Sequence, residues 1–107
     1  MTRLAEIEAE RAAEREGLRQ RVLAHLHAEI EAVGGFPVWV FGSLTRPGRF
    51  RSSSDVDVAF EALPSGWSLY GLTAWLAERL GRRVDVVLLG ESRLRAKIER
   101  EGERWTA

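Results

Sequence analysis

Residues 38–61 read VWVFGSLTRPGRFRSSSDVDVAFE: two β-rich runs joined by a basic loop. Val38–Phe41 is apolar at every position, the pattern of a central strand covered on both faces. It stops at Gly42-Ser43. Residues 42–54 form a loop containing Arg46, Arg49 and Arg51, with room for a short helical turn after Ser43. The chain then returns as a second strand over 55–61, with an aspartate at alternate positions. Strand side chains alternate between faces, so Asp55 and Asp57 share one face while Val56, Val58 and Phe60 share the other. Two carboxylates side by side repel unless a cation or proton lies between them. Mg²⁺ is the expected cation, a hard ion held by carboxylates and substrate phosphates together. Gly42 lets backbone N–H groups approach phosphates closely, Ser43 offers a hydroxyl, and Arg46 and its neighbours offer charge. The stretch points to a site for a metal-bound nucleoside triphosphate.

The flanks complete the expected architecture. Residues 2–33 are rich in Ala, Glu, Arg and Leu, lack proline, and predict a long helix capped by Thr2 and stopped by Gly34-Gly35 and Pro37. Leu18, Val22, Leu26, Ile30 and Val33 recur at helical spacing, so residues 18–33 are expected to pack on the sheet. Residues 1–17 form a charged extension, and Gly17 is expected to weaken or break the helix between the halves. This extension reads either as a solvated helix with i,i+4 charge pairs or as a partner-binding surface anchored by Leu4 and Ile7. Downstream, a helix is expected over Trp67–Leu80, a third strand over Arg83–Leu89 bearing Asp85, and a last helix over 91–100. If the third strand lies beside the second, Asp55, Asp57 and Asp85 converge, enough for two divalent ions. The expectation is a single α+β domain over residues 1–107, a three-stranded mixed sheet flanked by helices, with its core at 18–100.

Composition narrows the function classes. The 107 residues carry 16 Lys+Arg against 16 Asp+Glu, so net charge gives no general argument for direct nucleic-acid binding. There is no cysteine, which excludes a disulfide framework and a thiolate metal site. No apolar run reaches a membrane span, and MTRLAEIEAERAAERE lacks a signal-peptide core, so a cytoplasmic protein is expected. His25 and His27 lie two apart on a helix and face different ways, against a shared metal. Trp39 is expected to pack under the helices rather than stack on a base, and Trp105 is an exposed aromatic unless it docks on a partner or the tail folds back.

Gly42-Ser43, then Arg46, then Ser54-Asp55-Val56-Asp57, then a helix and a strand bearing Asp85, resembles the polymerase-β nucleotidyltransferase superfamily. Within it the chain looks like the minimal, antitoxin-type nucleotidyltransferases, over about residues 18–100. Eleven residues separate Ser43 from Asp55, one more than the usual spacing, with Pro47 the extra residue in a loop able to absorb it. The resemblance implies that Gly42, Ser43, Arg46 and Ser54 bind the nucleotide, and that Asp55, Asp57 and Asp85 ligate Mg²⁺ and form the catalytic set. It makes Asp85 the base-like carboxylate toward the acceptor. It further implies AMP transfer from ATP to a hydroxyl of a partner protein, in a toxin–antitoxin pair whose partner has a HEPN domain. The alternative is a non-catalytic module that neutralises such a partner by occlusion. A small-molecule transferase is disfavoured by chain length unless a homo-oligomer completes the pocket.

Overall fold

In the computed structural model, which describes residues 2–107, the chain begins with helix α1 (Arg3–Ala32) and strand β1 (Val38–Phe41). Strand β2 (Val56–Phe60), helix α2 (Leu69–Leu80), strand β3 (Val84–Leu88), helix α3 (Arg95–Glu101) and strand β4 (Glu103–Trp105) follow. Two 3₁₀ turns, Gly42–Thr45 and Leu89–Glu91, sit directly after β1 and β3. The strands form one mixed sheet in the order β3-β2-β1-β4, with β2 and β3 parallel and the other pairs antiparallel.

Alternation builds two different faces. Val38, Val40, Val56, Val58, Phe60, Val84 and Val86 are all buried, packed with Val22, Leu26 and Ile30 of α1 and Leu72 and Leu76 of α2. On the other face, Ala59 is buried with Leu89 and with Ile98 of α3, while Trp39, Phe41 and Val87 pack around them. Asp57 and Asp85 belong to this second face, so the carboxylates stand opposite the main core.

α1 starts where the sequence indicates: the Thr2 hydroxyl accepts from the Ala5 N–H at 3.1 Å. It then runs unbroken through Gly17, as the single long helix expected over 2–33, and Gly17 does not divide it. One glycine costs a helix only about 1 kcal/mol. The Arg19–Glu16 pair at 2.6 Å and the Gln20–Glu16 hydrogen bond at 3.2 Å span that turn. α1 ends at a left-handed Gly34 (φ 67°), and a Cβ on Gly35 would come within 2.6 Å of the Phe60 ring.

The sheet has four strands rather than the expected three. β4 pairs with β1 through Val38–Trp105, Trp39–Arg104 and Val40–Glu103. Three residues are too few to show a strand period, and the pairing depends on the free edge of β1. Gly102 makes it possible: a Cβ there would lie 2.6 Å from the Ile98 carbonyl and 3.0 Å from that of Val40. The tail therefore folds back, and the Trp105 ring packs 5.6 Å from His27, itself 5.0 Å from Phe36. The last helix also begins later than expected, at Arg95 rather than 91. The Ser92 hydroxyl accepts from the Leu94 N–H at 3.1 Å and holds that segment as a turn.

Residues 8–14 of α1 are all exposed, whereas β4 covers a sheet edge. Removing residues 1–12 should leave the thermal midpoint nearly unchanged, and removing residues 103–107 should lower it by roughly 10 °C. Calorimetry of both truncations checks this; an equal loss from both would contradict the division into exposed arm and structural tail.

Candidate active site

The loop after β1 is pinned at both ends. Phe41 is extended, and Gly42 turns the chain with φ 73°. A Cβ at Gly42 would also run into Asp57 Oδ2, so glycine is required there twice over. The Thr45 hydroxyl donates to the Gly42 carbonyl at 2.8 Å, closing the 3₁₀ turn, and Leu44 is fully buried beneath it. From α1, Arg19 Nε donates to the Leu44 carbonyl at 2.8 Å. At the far end Phe50 is buried, with the Arg82 guanidinium 4.8 Å above its ring. Arg82 Nη1 also donates to the Ser54 carbonyl at 3.0 Å. These anchors hold Gly42-Ser43 against the end of β2.

The parallel register places Asp57 level with Asp85, and the antiparallel one places Phe41 level with Asp57. Asp55 precedes Val56, on the same parity as Asp57. Arg83 Nε lies 3.7 Å from both Asp55 Oδ2 and Asp85 Oδ1. Burial, followed by the Asp85 and Asp55 charges, pushes the Asp57 carboxyl up from 3.8 to about 6, against the opposing pull of Arg83. The carboxylates thus crowd as their spacing suggests. An all-oxygen donor set short of positive charge fits a hard divalent cation. The side chains do not by themselves close around one point: among the described residues no three Asp, Glu, His or Cys side chains form a metal-ready group.

Beside Asp57 opens a cleft of about 420 Å³. Gly42, Ser43, Thr45, Arg46 and Arg49 line one wall, and Leu94, Lys97, Ile98 and Glu101 line the other. Phe41 and Asp57 complete the lining. Arg46 Nη2 reaches Glu101 Oε1 at 3.2 Å, joining the loop to α3.

Four of the residues singled out from sequence, Gly42, Ser43, Arg46 and Asp57, meet in this cleft. Asp55 and Asp85 flank Asp57 on the sheet, outside the cleft lining. Ser54 is placed elsewhere: its hydroxyl accepts from the Arg51 N–H at 2.9 Å and closes the 51–54 turn. Trp39 packs near Ala59, Leu89 and Ile98 and donates to Glu61 at 2.8 Å, away from the cleft lining. His25 and His27 pair with different carboxylates, Glu29 and Glu31. Sequence reasoning missed Arg83, Leu94, Lys97 and Glu101. Arg83 was within reach, since it shares strand parity with Asp85; the α3 residues needed the tertiary position of that helix.

The raised Asp57 carboxyl has a pH consequence. The folded state binds this proton more tightly than the unfolded chain does, so its stabilising contribution is complete below pH 4 and fades as pH rises through about 6. Asp57→Asn keeps the neutral form at every pH. In metal-free buffer the variant should match the parent near pH 4 and exceed its thermal midpoint by about 5 °C at pH 8. Calorimetry across pH checks this; a variant less stable at pH 8 would mean that the Asp57 charge is already compensated.

No family model matches the chain, and no curated protein matches it. A solved structure assigned as a minimal nucleotidyltransferase does match, with a TM-score of 0.57 and 36% sequence identity. The similarity covers 83% of this chain and 93% of that one. With that identity over nearly the whole of the relative, and the Gly42-Ser43 turn set against Asp57, the chain belongs to the minimal nucleotidyltransferase family.

Proposed function

We propose that the protein transfers a nucleoside monophosphate, AMP from ATP, to a hydroxyl on a partner protein in a Mg²⁺-dependent reaction. The observation that carries this reading is the placement of Asp57: at the cleft lining, against Gly42, and level with Asp85. Phosphoryl-type transfer asks a protein mainly for positioning and charge neutralisation. Asp55, Asp57 and Asp85 would hold Mg²⁺, which supplies charge neutralisation at the phosphates and makes the acceptor hydroxyl easier to deprotonate.

The chain's own residues do the rest. Gly42 leaves room for the backbone to approach the phosphates, and Ser43 adds a hydroxyl donor. Arg46 and Arg49 bring guanidinium groups to the same wall. The acceptor oxygen attacks the α-phosphorus in line: a new P–O bond forms while the bond to the departing pyrophosphate breaks. The acceptor proton passes toward Asp85, whose side chain is 46% exposed and so open to an incoming surface. Asp55 is 40% exposed on the same side. That openness supports a macromolecular acceptor bringing its own surface, and resemblance to the antitoxin-type members supports a HEPN-domain protein as that partner.

A nucleotide bound only by the folded state raises its stability, by about 2.7 kcal/mol at a hundredfold excess over Kd. Mg²⁺ and ATP together should therefore raise the parent's midpoint by roughly 10 °C. Neither alone should do so, and Asp57→Asn should show almost no shift while remaining folded. A full shift in the variant would remove Asp57 from the metal-nucleotide site.

A further inference from the structure

The cleft has a wall that the Gly-Ser and aspartate motifs do not explain. Leu94, Lys97, Ile98 and Glu101 are spaced i, i+3, i+4 and i+7, so they share one face of α3 and the turn that enters it. Two chemistries lie side by side on that face. Ile98 is buried against Ala59 and Leu89, Phe41 of β1 is half-buried next to it, and Leu94 is 50% exposed at the cleft. Together they make an apolar strip along a cavity open to water.

The second chemistry is charge. Arg46, the motif's own arginine, is engaged by Glu101 at 3.2 Å. The other arginines of α3, Arg95 and Arg100, pair with Glu99 and Glu101. Lys97 lines the cleft, is exposed, and has no carboxylate partner among the described residues. An unpaired ammonium beside an exposed leucine suits a ligand with a flat apolar part and an anionic part. A nucleotide has both, and about 420 Å³ lies within the usual range of small-ligand clefts.

We propose that α3 and the turn that enters it form the nucleotide-recognition wall, with Leu94 and Phe41 packing on the base over the buried Ile98 and Lys97 engaging the phosphates opposite Ser43. This rests on the nucleotidyltransferase reading above and extends it to residues outside the motif. Lys97 adds positive charge to a wall where Glu101 already neutralises Arg46. Contact through apolar side chains selects by area rather than by hydrogen-bond pattern, so a purine gains more than a pyrimidine.

NMR titrations of the full chain with Mg²⁺·ATP and with adenosine separate the two roles. Lys97→Ala should weaken ATP binding by about tenfold and adenosine binding by less than about twofold, and Lys97→Arg should restore most of the ATP affinity. Leu94→Ser, at an exposed position, should weaken ATP and adenosine alike, by about fivefold. Equal losses of ATP and adenosine in Lys97→Ala, or unchanged affinities in both variants, would overturn the proposal while leaving the nucleotide site in place. A parent protein that binds neither ligand would overturn the proposal and the nucleotidyltransferase reading together.

Discussion

The site depends on one close approach, between the backbone of Gly42 and the carboxylate of Asp57. Any side chain at Gly42 would strike that carboxylate, and the φ of 73° excludes most residues independently. The approach is enforced from both sides. Antiparallel pairing carries Phe41 level with Asp57, and buried Leu44 with the Arg19 hydrogen bond at 2.8 Å keeps the turn from lifting away. Asp57 is thereby kept partly out of water and beside two further carboxylates, which raises its proton affinity. Stability is given up at a place where, under the proposed function, a cation and a phosphate would restore it. Such local conflict is expected of a functional site rather than of a structural one.

The division of the sheet into two faces makes this arrangement affordable. One face carries the core, sealed by α1 and α2, and does not rely on the charged row. The other is covered only in part, by α3, so Phe41, Asp57 and the cleft residues lie where the apolar cover ends. Fold alone does not assign an activity. Here the Gly-Ser turn and Asp57 of the aspartate row meet at one place, in a chain similar along most of its length to a minimal nucleotidyltransferase.

Much of this was legible in the residues themselves, and the reasons are physical. Strands with strong alternation, such as VDVAF and VDVVL, declare their faces locally, so Asp57 and Asp85 could be assigned a side before their register was seen. Gly34, Gly81 and Ser68 mark helix ends by backbone chemistry that operates over a few residues. What stayed hidden depends on contacts distant in sequence. β4 is a strand only because β1 offers an edge and Gly102 lets the chain pass close beneath it. Lys97 sits far from Asp57 in sequence yet lines the same cleft.

The most direct test of the central claim is label transfer from α-labelled ATP in the presence of Mg²⁺, with native lysate offering acceptors. An Asp55→Ala, Asp57→Ala double variant, confirmed to be folded, serves as the control. The proposed function predicts a labelled protein band that requires the aspartates and is lost when Mg²⁺ is chelated. No band from the folded parent protein, or a band that persists with the double variant, would contradict a nucleotidyltransferase working through this row of carboxylates.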